Sequence, residues 1–211
     1  MAKTLPVMKG KALWAKVFTP DTKFDSDGLY SIEVVIPEEE AQEVCEYLEG
    51  LRDERLAAEV KANPKAKSLS ARPVFEQDLD KDGNETGNLK FKAKLKATVR
   101  GRDNNTYKQK PIVVDAKRTP MTEETLIGNG SVVKVAYEPV TYVMASSKQV
   151  GVSLRLKGVQ VIELVEYGNK NATSMFDEED GYQTEPVTGR TQAEDIDFDD
   201  GQADGEVEGD F

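Results

Sequence analysis

Residues 89–99 read LKFKAKLKATV. The segment alternates throughout, with Leu89, Phe91, Ala93, Leu95, Ala97 and Val99 on one side and Lys90, Lys92, Lys94 and Lys96 on the other. Successive side chains of a strand point to opposite faces, so the pattern predicts a half-buried β-strand. Lysines on its outer face then stand about 6–7 Å apart, twice the rise per residue. Four ammonium groups in a row repel one another, and a strand kept only for its core would mix signs. Such a row suits an extended chain of negative charges. A solvated edge strand protected from aggregation by lysine shows the same pattern, so the flanking sequence has to decide.

Arg100, Arg102, Lys108, Lys110, Lys117 and Arg118 follow, with Tyr107 among them. From Lys90 to Arg118 there are ten basic residues against Asp103 and Asp115. A basic strand and loop interleaved with an aromatic is the footprint of a single-strand nucleic-acid binder, in which cations track phosphates and rings stack on bases. The formal net charge of −11 seems to argue against such a ligand, but the charge is unevenly distributed. Residues 177–211 hold fourteen acidic residues and one arginine, while residues 1–176 are near neutral with a net charge of +2. The expected organisation is therefore a binding domain over 1–176 and a disordered acidic tail over 177–211, too poor in apolar residues to build a core.

The chain has no histidine, which removes the commonest general base and metal ligand, and an enzyme is disfavoured. Neither a cofactor nor a metal is expected. The single Cys45 allows no internal disulfide and falls on the apolar side of a predicted helix, as a buried, inert thiol. The N-terminus lacks the apolar core of a signal peptide and no run approaches bilayer length, so a cytoplasmic protein without a membrane partner is expected.

Ala12–Phe18 and Leu29–Ile36 read as two strands joined through TPDTKFDSDG. Trp14, Phe18, Phe24 and Tyr30 crowd this pair; most fill the core, and the sequence does not say which ring is exposed. Pro37 and three glutamates open a helix running to about Ala62, with Ala41, Val44, Cys45, Leu48, Leu51, Leu56 and Val60 as its apolar stripe and an acidic outer face. Asp78–Asn88 looks like the start of a calcium loop, but Leu89 stands where the bidentate glutamate belongs, so it reads as a polar turn feeding the lysine strand. Tyr107–Asp115, Ser131–Tyr137, Val140–Ala145 and Val150–Val165 are further strands, with Pro139 as a break and a bulge at Gly158. The fold class is mainly β, a small closed barrel of the oligonucleotide-binding (OB) type with one inserted helix.

The segments FTPD with DGLYSIEVVIP, then LKFKAK, PIVVDAKRTPM, LIGNGSVVKVAY, GVSLRLKGVQVIEL and an acid-rich end in DF resemble the single-stranded DNA-binding proteins of short-tailed, podovirus-type bacteriophages. They cover most of the chain in order. The resemblance implies an OB fold with an inserted helix, coating of single strands without cooperativity, and frequently a homodimer. The setting it implies is DNA replication, recombination and repair in the cytoplasm of a bacterial host. It also implies an acidic tail that docks on the phage DNA polymerase and helicase/primase. Carried onto the matched positions, it places DNA contacts at Lys90, Lys92 and Lys94 and ring stacking at Tyr142. The family has a lysine beside Tyr137; here Ala136 takes that place, with Lys134 two residues earlier.

Together the residues and the resemblance give a DNA-contact set of Lys3, Lys90, Lys92, Lys94, Lys96, Arg100, Arg102, Tyr107, Lys108, Lys110, Lys134 and Tyr142. The partner-contact set is Asp199, Asp200, Asp210 and Phe211. Two other readings compete: an acidic DNA mimic or scaffolding protein, for which the lysine strand has no purpose, and a metal-dependent nuclease, which lacks a compact carboxylate cluster.

Overall fold

The computed structural model describes residues 5–166, apart from 24, 63–67, 102–104 and 123–124. Lys3, Arg102, the four partner-contact residues and the boundary drawn at 176/177 lie outside that range. Among the described residues ten strands and one helix follow in order: β1 (Val7–Asp21), β2 (Leu29–Pro37), α1 (Glu38–Ala62), β3 (Ser70–Ala71), β4 (Glu76–Leu79), β5 (Glu85–Lys96), β6 (Thr98–Arg100), β7 (Thr106–Lys108), β8 (Ile112–Val114), β9 (Val132–Met144) and β10 (Gln149–Glu163).

Five long strands close a barrel. β1 pairs antiparallel with β2, and β2 with β5. β5 meets β10 in parallel through Ala93↔Leu154 and Lys94↔Arg155. β10 runs antiparallel to β9, which returns antiparallel to β1. The order β1-β2-β5-β10-β9 is the OB connectivity. Its interior follows from alternation: Ile32, Val34, Phe91, Ala93, Val133, Val135, Tyr137 and Leu156 all point inward and are essentially sealed from solvent. Burial, with Tyr47 adding to it, pushes the Tyr137 phenol up to about 12.

Helix α1 leaves β2 directly after Pro37 and packs against β2, β3, β5, β9 and β10. Ala41 and Leu48 are its fully buried residues, and Val44, Cys45, Leu51, Leu56 and Val60 are half-buried along the same stripe. The surrounding environment pushes the Cys45 thiol up, first through burial and then through Glu49, Glu38 and Glu46. Arg52 pairs with Asp53 at 2.8 Å and also donates to the Arg72 carbonyl at 3.1 Å, tying the helix to the segment before β4.

Three strand expectations change. Alternation continues to Val99, yet β5 ends at Lys96. Ala97 turns out of the ladder, its N–H donating to the Gly28 carbonyl and its own carbonyl accepting from Gln109 N–H. Val99 therefore lies in the separate hairpin β6–β7, exposed. Tyr107–Asp115 is two short strands, because Gln109–Pro111 breaks away and Pro111 has no N–H to give. Pro139 breaks nothing: β9 is continuous across it. Among the described residues β1 pairs with β9 over Val132–Ala136 alone, so Pro139 lies on a stretch whose second edge has no strand partner among them, where a missing donor is tolerated. The register slips between Leu156 and Gly158, as expected for a bulge there. The Asp80 carboxylate accepts from the N–H groups of Asp82 and Asn84, which makes Asp80–Asn84 the polar turn joining β4 to β5.

Leu48 is fully buried between α1 and the barrel. Leu48→Ala should lower unfolding free energy by about 2–5 kcal/mol. Urea denaturation checks this, with the half-buried Val60→Ala as the milder control.

Candidate nucleic-acid interface

The outer face of β5 carries Lys90, Lys92, Lys94 and Lys96, as the alternation requires. Their surroundings could not be read from that strand alone. Lys92 stands directly opposite Glu33 of β2 and pairs with it at 2.6 Å. Lys90 reaches Asp78 of β4 at 3.7 Å. Lys96 lies between Asp25 and Asp27, at 3.3 and 3.6 Å, in the turn before β2. Three of the four lysines are thus held by carboxylates, which offsets the repulsion within the row.

Lys94 is the exception. Its cross-strand neighbours are Ser31 on β2 and Arg155 on β10, and its ammonium has no ion-pair partner among the described residues. Arg155 and Lys157 both turn to Glu138, at 3.4 and 2.8 Å.

Three adjoining clefts meet at Lys94. The first, about 350 Å³, is walled by Arg72, Phe75, Lys90, Lys92 and Tyr142. The second, about 400 Å³, is walled by Trp14, Lys16, Glu33 and Lys92. The third, about 420 Å³, is walled by Leu29, Lys96, Val99, Tyr142 and Arg155. They form one groove across β1, β2, β5, β10 and β9, transverse to the lysine row.

Tyr142 is half-buried on the outer face of β9, whereas Tyr137 of the same strand is in the core. The cross-strand partner of Tyr142 is Gly151. A β-carbon at Gly151 would stand 2.6 and 2.7 Å from the hydroxyl and ring of Tyr142, so the ring lies flat on bare backbone. That contact covers one ring face and aims the other at the groove.

Trp14 is 61% exposed, whereas Phe18 and Tyr30 are in the core; Phe24, the fourth ring of this strand pair, lies outside the described residues. Its φ of +49° puts a bulky residue in the left-handed region, a conformation that costs about 1–3 kcal/mol.

The other expected contacts are dispersed. Arg100, Tyr107, Lys108 and Lys110 are exposed on or just after the β6–β7 hairpin. Tyr107 is the cross-strand partner of Val99, which lines the third cleft. Lys134 is not brought to the groove. It lies opposite Lys9 and lines a different, largely apolar concavity with Val7, Ile112 and Lys157.

Sequence reading left Arg72, Arg155, Glu33 and Trp14 out of the DNA-contact set. The outward phase of Arg155 in SLRL is legible, but its place beside Lys94 depends on barrel closure. Among the described residues no three acidic or cysteine side chains converge to hold a metal ion.

A closed five-stranded barrel with a cationic, ring-walled groove across its face places the protein in the OB class. Residues 11–164 match the family described as single-stranded DNA-binding protein, bacteriophage T7, and the chain belongs to that family. The Escherichia phage T7 relative, a single-stranded DNA-binding protein, is 31% identical over 151 residues, which is 67% of this chain and 64% of that protein's own length. The relative of the same description from Enterobacteria phage T3 is 30% identical over 165 residues, 73% of this chain and 70% of its own. The crystal structure of the T7 protein superposes with a TM-score of 0.61 at 26% identity, covering 86% of this chain and all of that one. The bacteriophage Enc34 single-stranded DNA-binding protein, solved in complex with ssDNA, shares the fold at 15% identity. Its TM-score is 0.50, over 80% of this chain and all of that one.

The ion pairing predicts opposite signs for two neighbouring changes. Lys94→Ala should weaken oligonucleotide binding and shrink the salt slope by about 0.7, one phosphate contact on a single strand. Glu33→Gln should free Lys92 and tighten binding, most at low salt. Fluorescence anisotropy with a labelled oligo-dT at three salt concentrations measures both. Gly151→Ala, which pushes the Tyr142 ring off its seat, should reproduce much of the Tyr142→Ala loss of roughly 1–3 kcal/mol while leaving the melting temperature within a few degrees.

Proposed function

We propose that the protein binds single-stranded DNA without regard to sequence, with the strand crossing the barrel face through the groove centred on Lys94. One observation supports this reading: a lysine without an ion-pair partner among the described residues, at the junction of three clefts, with the Tyr142 ring held flat in two of them. An unpaired cation supplies phosphate attraction, and an oriented ring supplies stacking that every base can use. The T7 and T3 relatives bear the name of this activity, and the Enc34 protein with the same fold was solved with ssDNA. The role is one of binding rather than catalysis, in replication, recombination and repair of phage DNA in the host cytoplasm.

The acid-rich residues 177–211 complete the proposal. With a net charge of −13 they act as an internal polyanion that competes with DNA for the basic groove. Strand binding then releases them to the DNA polymerase and helicase/primase, with Asp199, Asp200, Asp210 and Phe211 as contacts. A homodimer is part of the same proposal.

The test is a titration of single-stranded DNA, duplex DNA and RNA on the full chain and on a chain ending at Phe176. Four to six phosphate contacts should give log K against log salt a slope of about −3 to −4. Truncation should tighten single-strand binding, most at low salt. Salt-independent binding, or equal affinity for duplex, overturns the DNA reading. Unchanged or weaker low-salt affinity after truncation overturns the competitor role alone.

A further inference from the structure

We infer that Trp14 is a second nucleobase platform, on the far side of Lys94 from Tyr142; this rests on the single-strand binding proposed above. β1 and β2 lose register between Leu13↔Glu33 and Lys16↔Ser31, where β1 carries one residue more than its partner. Trp14 sits in that bulge. Its N–H donates to the Asn129 side-chain oxygen at 2.8 Å. Gly130 N–H donates to the Ala12 carbonyl, and Ala12 N–H to the Ser131 carbonyl, both at 2.8 Å. The Ser131 hydroxyl, buried, donates to the Gly128 carbonyl and accepts from Val165 N–H. The glycine turn at 128–131 is thereby clamped to the barrel, and it clamps the bulge in turn.

The result runs against what burial alone favours. The largest apolar side chain of the protein is held in solvent, on a backbone conformation suited to glycine. The indole walls the same cleft as Lys16, Lys92 and Lys94; Asp21, Asp25 and Glu33 line it too, with Lys16 paired to Asp21 and Lys92 to Glu33, so the exposed ring shares its cleft with Lys94, which has no ion-pair partner among the described residues. An indole offers a broad π-face to any base, and Lys94 in the same cleft offers charge to a flanking phosphate. The ligand is therefore a base of the strand already bound at Lys94.

The topology sets the spacing. Trp14 is two strands from β5 through β2, and Tyr142 is two strands from β5 through β10. Four strand separations of ~4.8 Å put the rings ~20 Å apart around the surface. At ~3.4 Å per stacked nucleotide this spans about six nucleotides, fewer if the strand is stretched.

Trp14 is the sole tryptophan, so fluorescence excited at the red edge reports it alone. Oligo-dT of about twelve nucleotides should quench it and protect it from acrylamide, whereas about three nucleotides should bind without full quenching. Trp14→Gly should hold or raise the melting temperature, because glycine suits the positive φ, yet lose about tenfold in single-strand affinity at a salt concentration that screens phosphates. Trp14→Phe should keep most of it.

A strand that binds by anisotropy while Trp14 fluorescence and acrylamide access stay unchanged overturns the platform and leaves the binding proposal standing. So does a Trp14→Gly protein that binds normally, or one that melts far lower with affinity intact. No strand binding by the full chain overturns both.

Discussion

The structure depends on a short seam. Two residue pairs, Ala93↔Leu154 and Lys94↔Arg155, join β5 to β10 in parallel and turn an open sheet into a barrel. A parallel contact of this kind needs a long crossover, and residues 97–148 supply it. Inside the seam Ala93 is small enough to accept Leu154. Outside it, closure sets Lys94 against Arg155, and across from Lys94 on β2 stands Ser31 rather than a carboxylate. The sealed core and the pairing of two cations at the surface meet at the same seam.

Around this point the surface is balanced. Carboxylates from β2, β4 and the turn before β2 converge on the other three lysines of β5. Each pair is at the surface, so each contributes little to stability. Their larger effect is on the surface field, since they lower the standing positive charge along the lysine row at every position but Lys94. The two rings bound that position. Tyr142 rests on Gly151, and Trp14 is lifted by a strained bulge that the 128–131 turn holds.

Local pattern conveyed what depends on one strand. The alternation of LKFKAKLK settled which side of β5 is buried, and proline with three glutamates settled where α1 begins. It did not convey what depends on partners. Glu33 lies fifty-nine residues from Lys92 in sequence, so the pair that tempers the lysine row is invisible until β2 and β5 are in register. Ala97 and Val99 keep the period of a strand that tertiary contacts with Gly28 and Gln109 have ended. Pro139 looks like a break only if both edges of β9 are assumed to be paired. Which ring of the first strand pair is exposed could not be read from the sequence, and the extra residue in β1 decides it by turning Trp14 outward.

The paired lysines also bear on how a bound strand would leave. Each cation that a phosphate takes from Glu33, Asp78 or Asp25 has its former partner within about 4 Å, ready to take it back. Detachment can then proceed one contact at a time, with every released lysine neutralised at once. If the proposed strand binding holds, a bound strand would peel from one end of the groove, without every contact having to break in a single event.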